Sequence, residues 1–255
     1  MNAMKRTKCS LLITMASCLL TSLHARAQGE LLVAAAADLK FAMDSLVSVF
    51  SHEHPGIQVK VTYGSSGNFF EQISAGAPFD LFFSADIDYP RQLQDKGLTL
   101  SPVRQYGKGQ IVLWSSKLDP TQRQMQTLLD PSVIKIAIAN PAHAPYGKRA
   151  EESLRYYKLF GQVKDRLVLG ENISQAAQFL TSGAADIGII ALSLARSPAM
   201  QRQGGHYWLI PEASHQPLLQ GYVLLAHAKG NAAGESFRAF IGSAKARAVF
   251  NYFGL

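Results

Sequence analysis

Short apolar runs alternate with segments of helical period along most of the chain, and that alternation restricts it to a layered α/β architecture. Leu31-Leu32-Val33 runs through small residues to Asp38, after which Leu39, Met43, Leu46, Val47 and Phe50 fall at helical spacing. Residues 57–61 alternate like a strand and end in Gly64-Ser65-Ser66-Gly67. Phe69 and Ile73 then mark a helix, and Leu81-Phe82-Phe83 reads as a buried strand. The second half repeats the plan. Residues 134–138, 166–169 and 187–190 read as strands, Ala150, Leu154 and Tyr157 mark one helix, and Ile173, Ala176, Ala177 and Leu180 form the stripe of another. Residues 110–114 and 221–225 read as further strands, and a final helix is expected to carry Phe237, Ile241 and Ala244 in register.

The two halves also echo each other in detail. Gly76-Ala77-Pro78-Phe79-Asp80-Leu81 parallels Gly183-Ala184-Ala185-Asp186-Ile187, with one residue of spacing between them. Gly-Ala often ends helices, but with the repeated strand–helix order the echo points to two similar α/β lobes. With crossings near Tyr106 and Ala213, residues 28–105 and 214–255 form lobe 1 and residues 106–213 form lobe 2, with a hinge between them.

The first 27 residues read as a secretory signal: Lys5, Arg6 and Lys8 precede an apolar stretch, and Ala25-Arg26-Ala27 offers a cleavage site. Met15-Ala16-Ser17-Cys18 resembles a lipoprotein site only loosely, since apolar residues continue past it. Removing the signal takes away Lys5, Arg6, Lys8 and Arg26, so Lys+Arg falls from 25 to 21 against 18 Asp+Glu. The net charge of +7 becomes +3, and no basic run interleaves with aromatics, which argues against nucleic-acid binding. Cys9 and Cys18 both lie in the signal, so disulfides and thiolate metal sites are excluded from the mature chain. None of the remaining histidines has a trusted metal-ligand spacing; His52 and His54 precede Pro55-Gly56 as in a solvated turn. No G-x-S-x-G elbow or phosphate loop is present.

Four strand-to-helix junctions carry the functional signal: Ala36-Ala37-Asp38, Gly64-Ser65-Ser66-Gly67, Ala144-Pro145-Tyr146-Gly147 and Glu171-Asn172-Ile173. In open α/β sheets ligands bind beyond the carboxyl ends of the strands, where helix N-termini present free N–H groups and partial positive charge. Two junctions per lobe could surround a small anion without a lysine or arginine. Each also has a local explanation: Asp38 and Asn172 are good N-caps, Asn172 with Gln175 and Asn68 with Glu71 fit capping boxes, and Ser65 and Ser66 suit a turn.

Over essentially its whole mature length the chain resembles the periplasmic molybdate-binding proteins of ABC transporters. The resemblance rests on Val33-Ala34-Ala35-Ala36-Ala37-Asp38-Leu39, Gly64-Ser65-Ser66-Gly67, the eleven residues 76–86, residues 141–147 and Asp186-Ile187-Gly188-Ile189-Ile190. It implies a type II periplasmic binding protein fold, two α/β lobes with mostly parallel mixed sheets closing on the ligand, and a role as a non-enzymatic solute-binding protein. It also implies molybdate or tungstate as ligand, no cofactor, an ABC permease as partner, a periplasmic location and a monomer. Carried over by motif, Ser66 donates its hydroxyl and N–H, Tyr146 and Ile173 donate backbone N–H groups, and the Asp38 junction contributes from lobe 1. Sulfate or a phosphate-like species, or an enzyme or sensor on the same scaffold, remain alternatives.

Two departures stand out. Relatives often have Ser at Asp38, and some have a ligand-contacting Tyr at Ala191. A carboxylate has no proton to give a dianion. Asp38 is therefore expected to turn back as N-cap of the helix from Leu39, the alternative being that it accepts a proton carried by the ligand.

Overall fold

The computed structural model describes residues 29–255; the expected signal segment and both cysteines lie outside them. Among the described residues ten strands form two five-stranded sheets. Along the chain they are β1 (Gly29–Ala36), β2 (Ile57–Gly64), β3 (Leu81–Ser84), β4 (Arg104–Gly109), β5 (Ile111–Ser115), β6 (Ile136–Ala139), β7 (Leu167–Gly170), β8 (Ile187–Ala191), β9 (His206–Leu209) and β10 (Leu218–Leu224). The first sheet runs β2-β1-β3-β10-β4 and the second β7-β6-β8-β5-β9. In each, three strands are parallel, and a strand from the connecting segments pairs antiparallel beside them. The order is the same in both sheets, position for position.

Seven helices matter here: α1 (Lys40–Glu53), α2 (Ser66–Ser74), α3 (Asp88–Asp95), α4 (Pro145–Tyr156), α5 (Ile173–Thr181), α6 (Ala232–Ile241) and α7 (Ala244–Tyr252). They pack on the sheet faces as the strand pattern requires. On the first sheet, Val33, Ala35, Phe83 and Tyr222 face one core with Phe50 and Phe237. Their neighbours Ala34, Phe82 and Val223 face a second core with Phe69 and Leu93. A third cluster, built on Ile111, Leu113, Ile138, Ile189 and Leu154, holds the second lobe together.

The echo between the halves has a structural cause. Asp80 N donates to Leu32 O at 2.7 Å, and Leu32 N donates back to Asp80 Oδ2 at 2.8 Å. Asp186 N donates to Lys135 O at 2.9 Å, and Lys135 N returns to Asp186 Oδ2 at 3.0 Å. Each aspartate thus clips the start of β3 or β8 to the parallel strand beside it. The preceding glycines, Gly76 at φ +91 and Gly183 at φ +74, end α2 and α5 in the left-handed conformation that a side chain resists.

Several expectations need correction. The strand expected from residue 134 starts at Ile136, and Ile134 is 68% exposed. β4 spans Tyr106 yet belongs to the first sheet, so the chain crosses at Gln110. The single final helix is two, because Gly242 ends α6 and Ser243 accepts from Ala246 N at 3.2 Å to cap α7. Ala244 is exposed. Among the described residues no helix is long and apolar enough to cross a membrane.

Candidate functional site

The junctions Ala36-Ala37-Asp38, Gly64-Ser65-Ser66, Ala144-Pro145-Tyr146 and Ile173 line one cavity between the two lobes, with Ala85 completing its wall. The cavity is small, which leaves room for a compact species and none for an extended organic molecule. No lysine or arginine lines it.

Local structure explains what the wall presents. α2, α4 and α5 begin at Ser66, Pro145 and Ile173, so the N–H groups of Ser66, Tyr146 and Ile173 fall in first turns, where a helix has no internal acceptor for them. Pro145 at the first position of α4 fixes φ and brings no N–H of its own. The three N-termini together supply positive partial charge without a cation. Ser66 is 1% exposed. Its Oγ accepts from Ala85 N at 3.0 Å, which fixes the rotamer and leaves its hydroxyl hydrogen free to donate.

The caps differ in part from those read off the sequence. Asn172 caps α5 as expected, accepting from Gln175 N at 3.1 Å, and Gln175 Oε1 accepts from Glu171 N at 2.6 Å. On α2 the cap is Ser65, which accepts from Asn68 N at 3.4 Å. Asn68 is not a cap: its Nδ2 donates across the cleft to Glu171 Oε1 at 2.6 Å.

Asp38 is not the N-cap of the following helix. Ala37–Leu39 form a 3₁₀ turn, and α1 starts only at Lys40 behind Leu39, with no side-chain cap. The extra turn carries the Asp38 carboxyl into the space between the lobes, where tertiary donors claim it. Its Oδ2 accepts from the Tyr146 hydroxyl at 3.0 Å and from Gln220 Nε2 at 2.8 Å. Gln220 Nε2 lies 3.0 Å from the Tyr146 oxygen as well. Asp38 is 1% exposed and Gln220 fully buried, and two oxygens, Asp38 Oδ1 and Gln220 Oε1, have no hydrogen-bond partner. Burial pushes the Asp38 carboxyl up to about 7, against the opposing bonds from Gln220 and Tyr146. The Tyr146 and Tyr106 hydroxyls stand well above their ordinary range, first because they are buried and then because Asp38 is near.

The same junctions staple the lobes. Ser174 Oγ donates to Ala37 O at 2.7 Å, Ser193 Oγ to Asp38 O at 2.8 Å, and Gly67 N to His143 O at 3.0 Å. His143 Nδ1 lies 3.0 Å from Ser65 Oγ. The lobes are therefore closed around the cavity. Ser174, Ser193, Gln220 and His143 were not singled out from sequence. Only Gln220 carried a signal, as a lone amide in the apolar run from Leu218 to Leu225. Ala191, where some relatives have a tyrosine, is fully buried at the end of β8 and outside the cavity wall. Among the described residues no group of three His, Cys, Asp or Glu could hold a metal ion.

Comparison with known proteins agrees with this architecture. Residues 31–255 match the family described as bacterial extracellular solute-binding protein. The molybdate-binding protein ModA of Azotobacter vinelandii is 34% identical over 226 residues, covering 88% of this chain and 89% of its own length. ModA of Rhodobacter capsulatus is 31% identical over 230 residues, covering 89% and 88%. The solved structure of the A. vinelandii periplasmic molybdate-binding protein superposes with a TM-score of 0.81 at 31% identity, over 88% of this chain and 97% of that one.

Proposed function

The chain belongs to the bacterial extracellular solute-binding proteins, and from that premise we propose that its solute is one molybdate anion, held between the lobes and handed to the membrane permease of an ABC importer. The observation that carries this reading is the convergence of three helix N-termini and the Ser66 hydroxyl on a small cavity with no basic side chain in its wall. Such a wall suits a compact anion with acceptors on all sides. Helix N-termini stabilise charge through fixed N–H groups, and a rigid set of donors selects by size and shape. In the proposed complex Ser66 donates its hydroxyl and N–H, Tyr146 and Ile173 donate N–H groups, and the Asp38 junction closes the site from lobe 1.

Capture leaves every bond of the cargo intact, so the role is transport. Tungstate, of the same shape and charge, fits the same donors. All donors come from one chain, which supports a monomer, and export by the N-terminal segment to the periplasm puts the protein where a permease meets it. Calorimetry of the ligand-stripped protein tests the reading. Molybdate and tungstate are expected to bind one to one, with sulfate and phosphate weaker. A protein that gives no heat with molybdate, or prefers phosphate, overturns it.

A further inference from the structure

The Asp38 cluster is short of hydrogens. The two side-chain donors in reach, the Tyr146 hydroxyl and Gln220 Nε2, are aimed at Oδ2, while Oδ1 of Asp38 and Oε1 of Gln220 have no partner. No cation lies within ion-pair distance of Asp38 among the described residues. Asp38 lines the cavity, so as a carboxylate it would hold a buried negative charge, with no cation beside it, next to a space read here as an anion site. As a neutral acid it satisfies the geometry. Oδ2 becomes the carbonyl oxygen that accepts two bonds, and Oδ1–H becomes a donor.

Resting on the oxyanion reading above, we propose that Asp38 is the proton-carrying specificity residue of this site: in the closed, liganded protein it is a neutral acid whose Oδ1–H donates to an oxygen of the bound anion. Where Asp38 is ionised in the free protein, capture of a fully deprotonated oxyanion takes up one proton from solvent onto Oδ1. The proton forms one O–H bond and nothing is oxidised or reduced.

Burial already pushes this carboxyl up to about 7, and a bound dianion raises it further. The surroundings offer no rival. The turn Leu192–Ala195 and α5 carry no titratable group. On α1, Lys40 and Asp44 pair with each other at 3.1 Å on the surface. On α4, Tyr146 stays neutral through burial, and Arg149 pairs with Glu152. Tyr106 of β4 is likewise held neutral. His143 faces the cleft mouth through Ser65 and Glu171, not Asp38.

The consequence is selection by protonation state. Every donor assigned to the anion then carries a hydrogen, so an anion with acceptors on all four oxygens satisfies them. Hydrogen phosphate brings a hydroxyl that must face a donor or displace the Asp38 proton.

The test is calorimetry with molybdate between pH 6 and pH 9, in buffers of different ionisation enthalpy, on the wild type and on Asp38→Asn. Asparagine places a carbonyl and an N–H donor in the same shape and does not titrate. If only the protonated form binds, the wild-type apparent Kd rises about tenfold per pH unit above pH 7, because the competent fraction falls by that factor. Close to one proton is taken up per anion at pH 8. Asp38→Asn is expected to give a flat profile with no proton uptake. A flat wild-type profile without proton uptake overturns the proposal, as does an unchanged slope in a folded Asp38→Asn. If Asp38→Asn does not fold, the wild-type profile and proton count still decide. Failure of the wild type to bind molybdate at any pH removes the oxyanion reading itself.

Discussion

Gly67 donates its backbone N–H to the carbonyl of His143 at 3.0 Å, and this bond joins the first turn of α2 in lobe 1 to the loop before α4 in lobe 2. The approach depends on the missing side chain. A Cβ at Gly67 would lie 2.6 Å from the His143 oxygen and 3.1 Å from its Cα. The overlap with His143 exists only when the lobes meet; the other close neighbour, the Tyr89 hydroxyl at 3.1 Å in the same lobe, is the tip of a side chain that can give way.

Gly67→Ala should therefore separate closure from folding. In the open form alanine suits a helix first turn and leaves the melting temperature of the ligand-free protein unchanged or slightly raised. In the closed form the overlap costs about 1–3 kcal/mol, so molybdate affinity should drop by roughly 5- to 150-fold. Small-angle scattering at saturating molybdate should show a larger radius of gyration than for the wild type. Wild-type affinity in the variant would mean that the lobes bind ligand without this contact.

Ser66→Ala should reduce affinity and stability together. The hydroxyl donor to the anion is worth about 1.5–3 kcal/mol, so Kd rises roughly 10- to 150-fold. The same oxygen accepts from Ala85 N at 3.0 Å, and leaving that buried N–H without a partner costs about 1–3 kcal/mol of folding free energy. Titration of the folded, ligand-free variant isolates the first effect and denaturant unfolding gives the second. A stability loss with unchanged Kd would make Ser66 a structural turn residue.

The lining of the candidate cavity was legible in the sequence where local structure decides it and illegible where distant segments do. Ser66, Tyr146 and Ile173 lie at junctions between an apolar strand and a helical stripe, and such a junction leaves N–H groups free wherever it occurs. Asp38 looked like an N-cap because local preference favours one. The donors that claim it instead come from Tyr146 and Gln220, 108 and 182 residues away. Gln220 itself sits beside a register irregularity of β10 against β4, which no alternation pattern reports. Helix α3 has only Pro90 and Leu93 buried, too few to mark a stripe. Only Gly109 of β4 is buried, so the strand lacks the apolar run that revealed β3 and β8.

Asp80 and its counterpart Asp186 should differ in cost. Asp80 is 3% exposed and accepts from Leu32 N at 2.8 Å, from Asn231 Nδ2 at 3.4 Å and, with His227 as donor, from Nδ1 at 2.9 Å. Asp80→Ala strands the Leu32 N–H and loosens Asn231, which caps α6. It should cost about 2–4 kcal/mol. Asp186 is less enclosed, with a side chain 17% exposed, so Asp186→Ala should cost less. Burial raises its carboxyl, but the bonds from Lys117 and from the N–H groups of Lys135 and Ile134 hold it below the usual carboxylate range. A depressed folded value contributes stability at neutral pH that is lost on acidification. The deficit of Asp186→Ala should accordingly shrink as the pH falls below about 4. Denaturant midpoints at pH 7 and pH 3.5 check both statements. Equal costs for the two variants would contradict the difference in burial.

Tyr146→Phe probes the Asp38 cluster from the other lobe. Phenylalanine keeps the ring and the Tyr146 N–H proposed to face the anion, and removes only the hydroxyl that donates to Asp38 Oδ2 at 3.0 Å. That bond stabilises the carboxylate more than the acid, since a donor bonds an ionised acceptor more strongly. Its loss should raise the Asp38 value above about 7, by about 0.7 of a pH unit for about 1 kcal/mol of differential bonding. The pH midpoint of molybdate affinity should move up by the same amount. At pH 6, where both proteins carry the proton, the variant binds no better than the wild type and loses whatever the hydroxyl contributed to closure. At pH 8–9 more of the variant is protonated, so its affinity falls less steeply and the two curves converge or cross. Isothermal titration from pH 6 to pH 9 reads the midpoint directly. A midpoint that stays fixed, or moves down, would show that the Tyr146 hydroxyl does not govern the Asp38 proton.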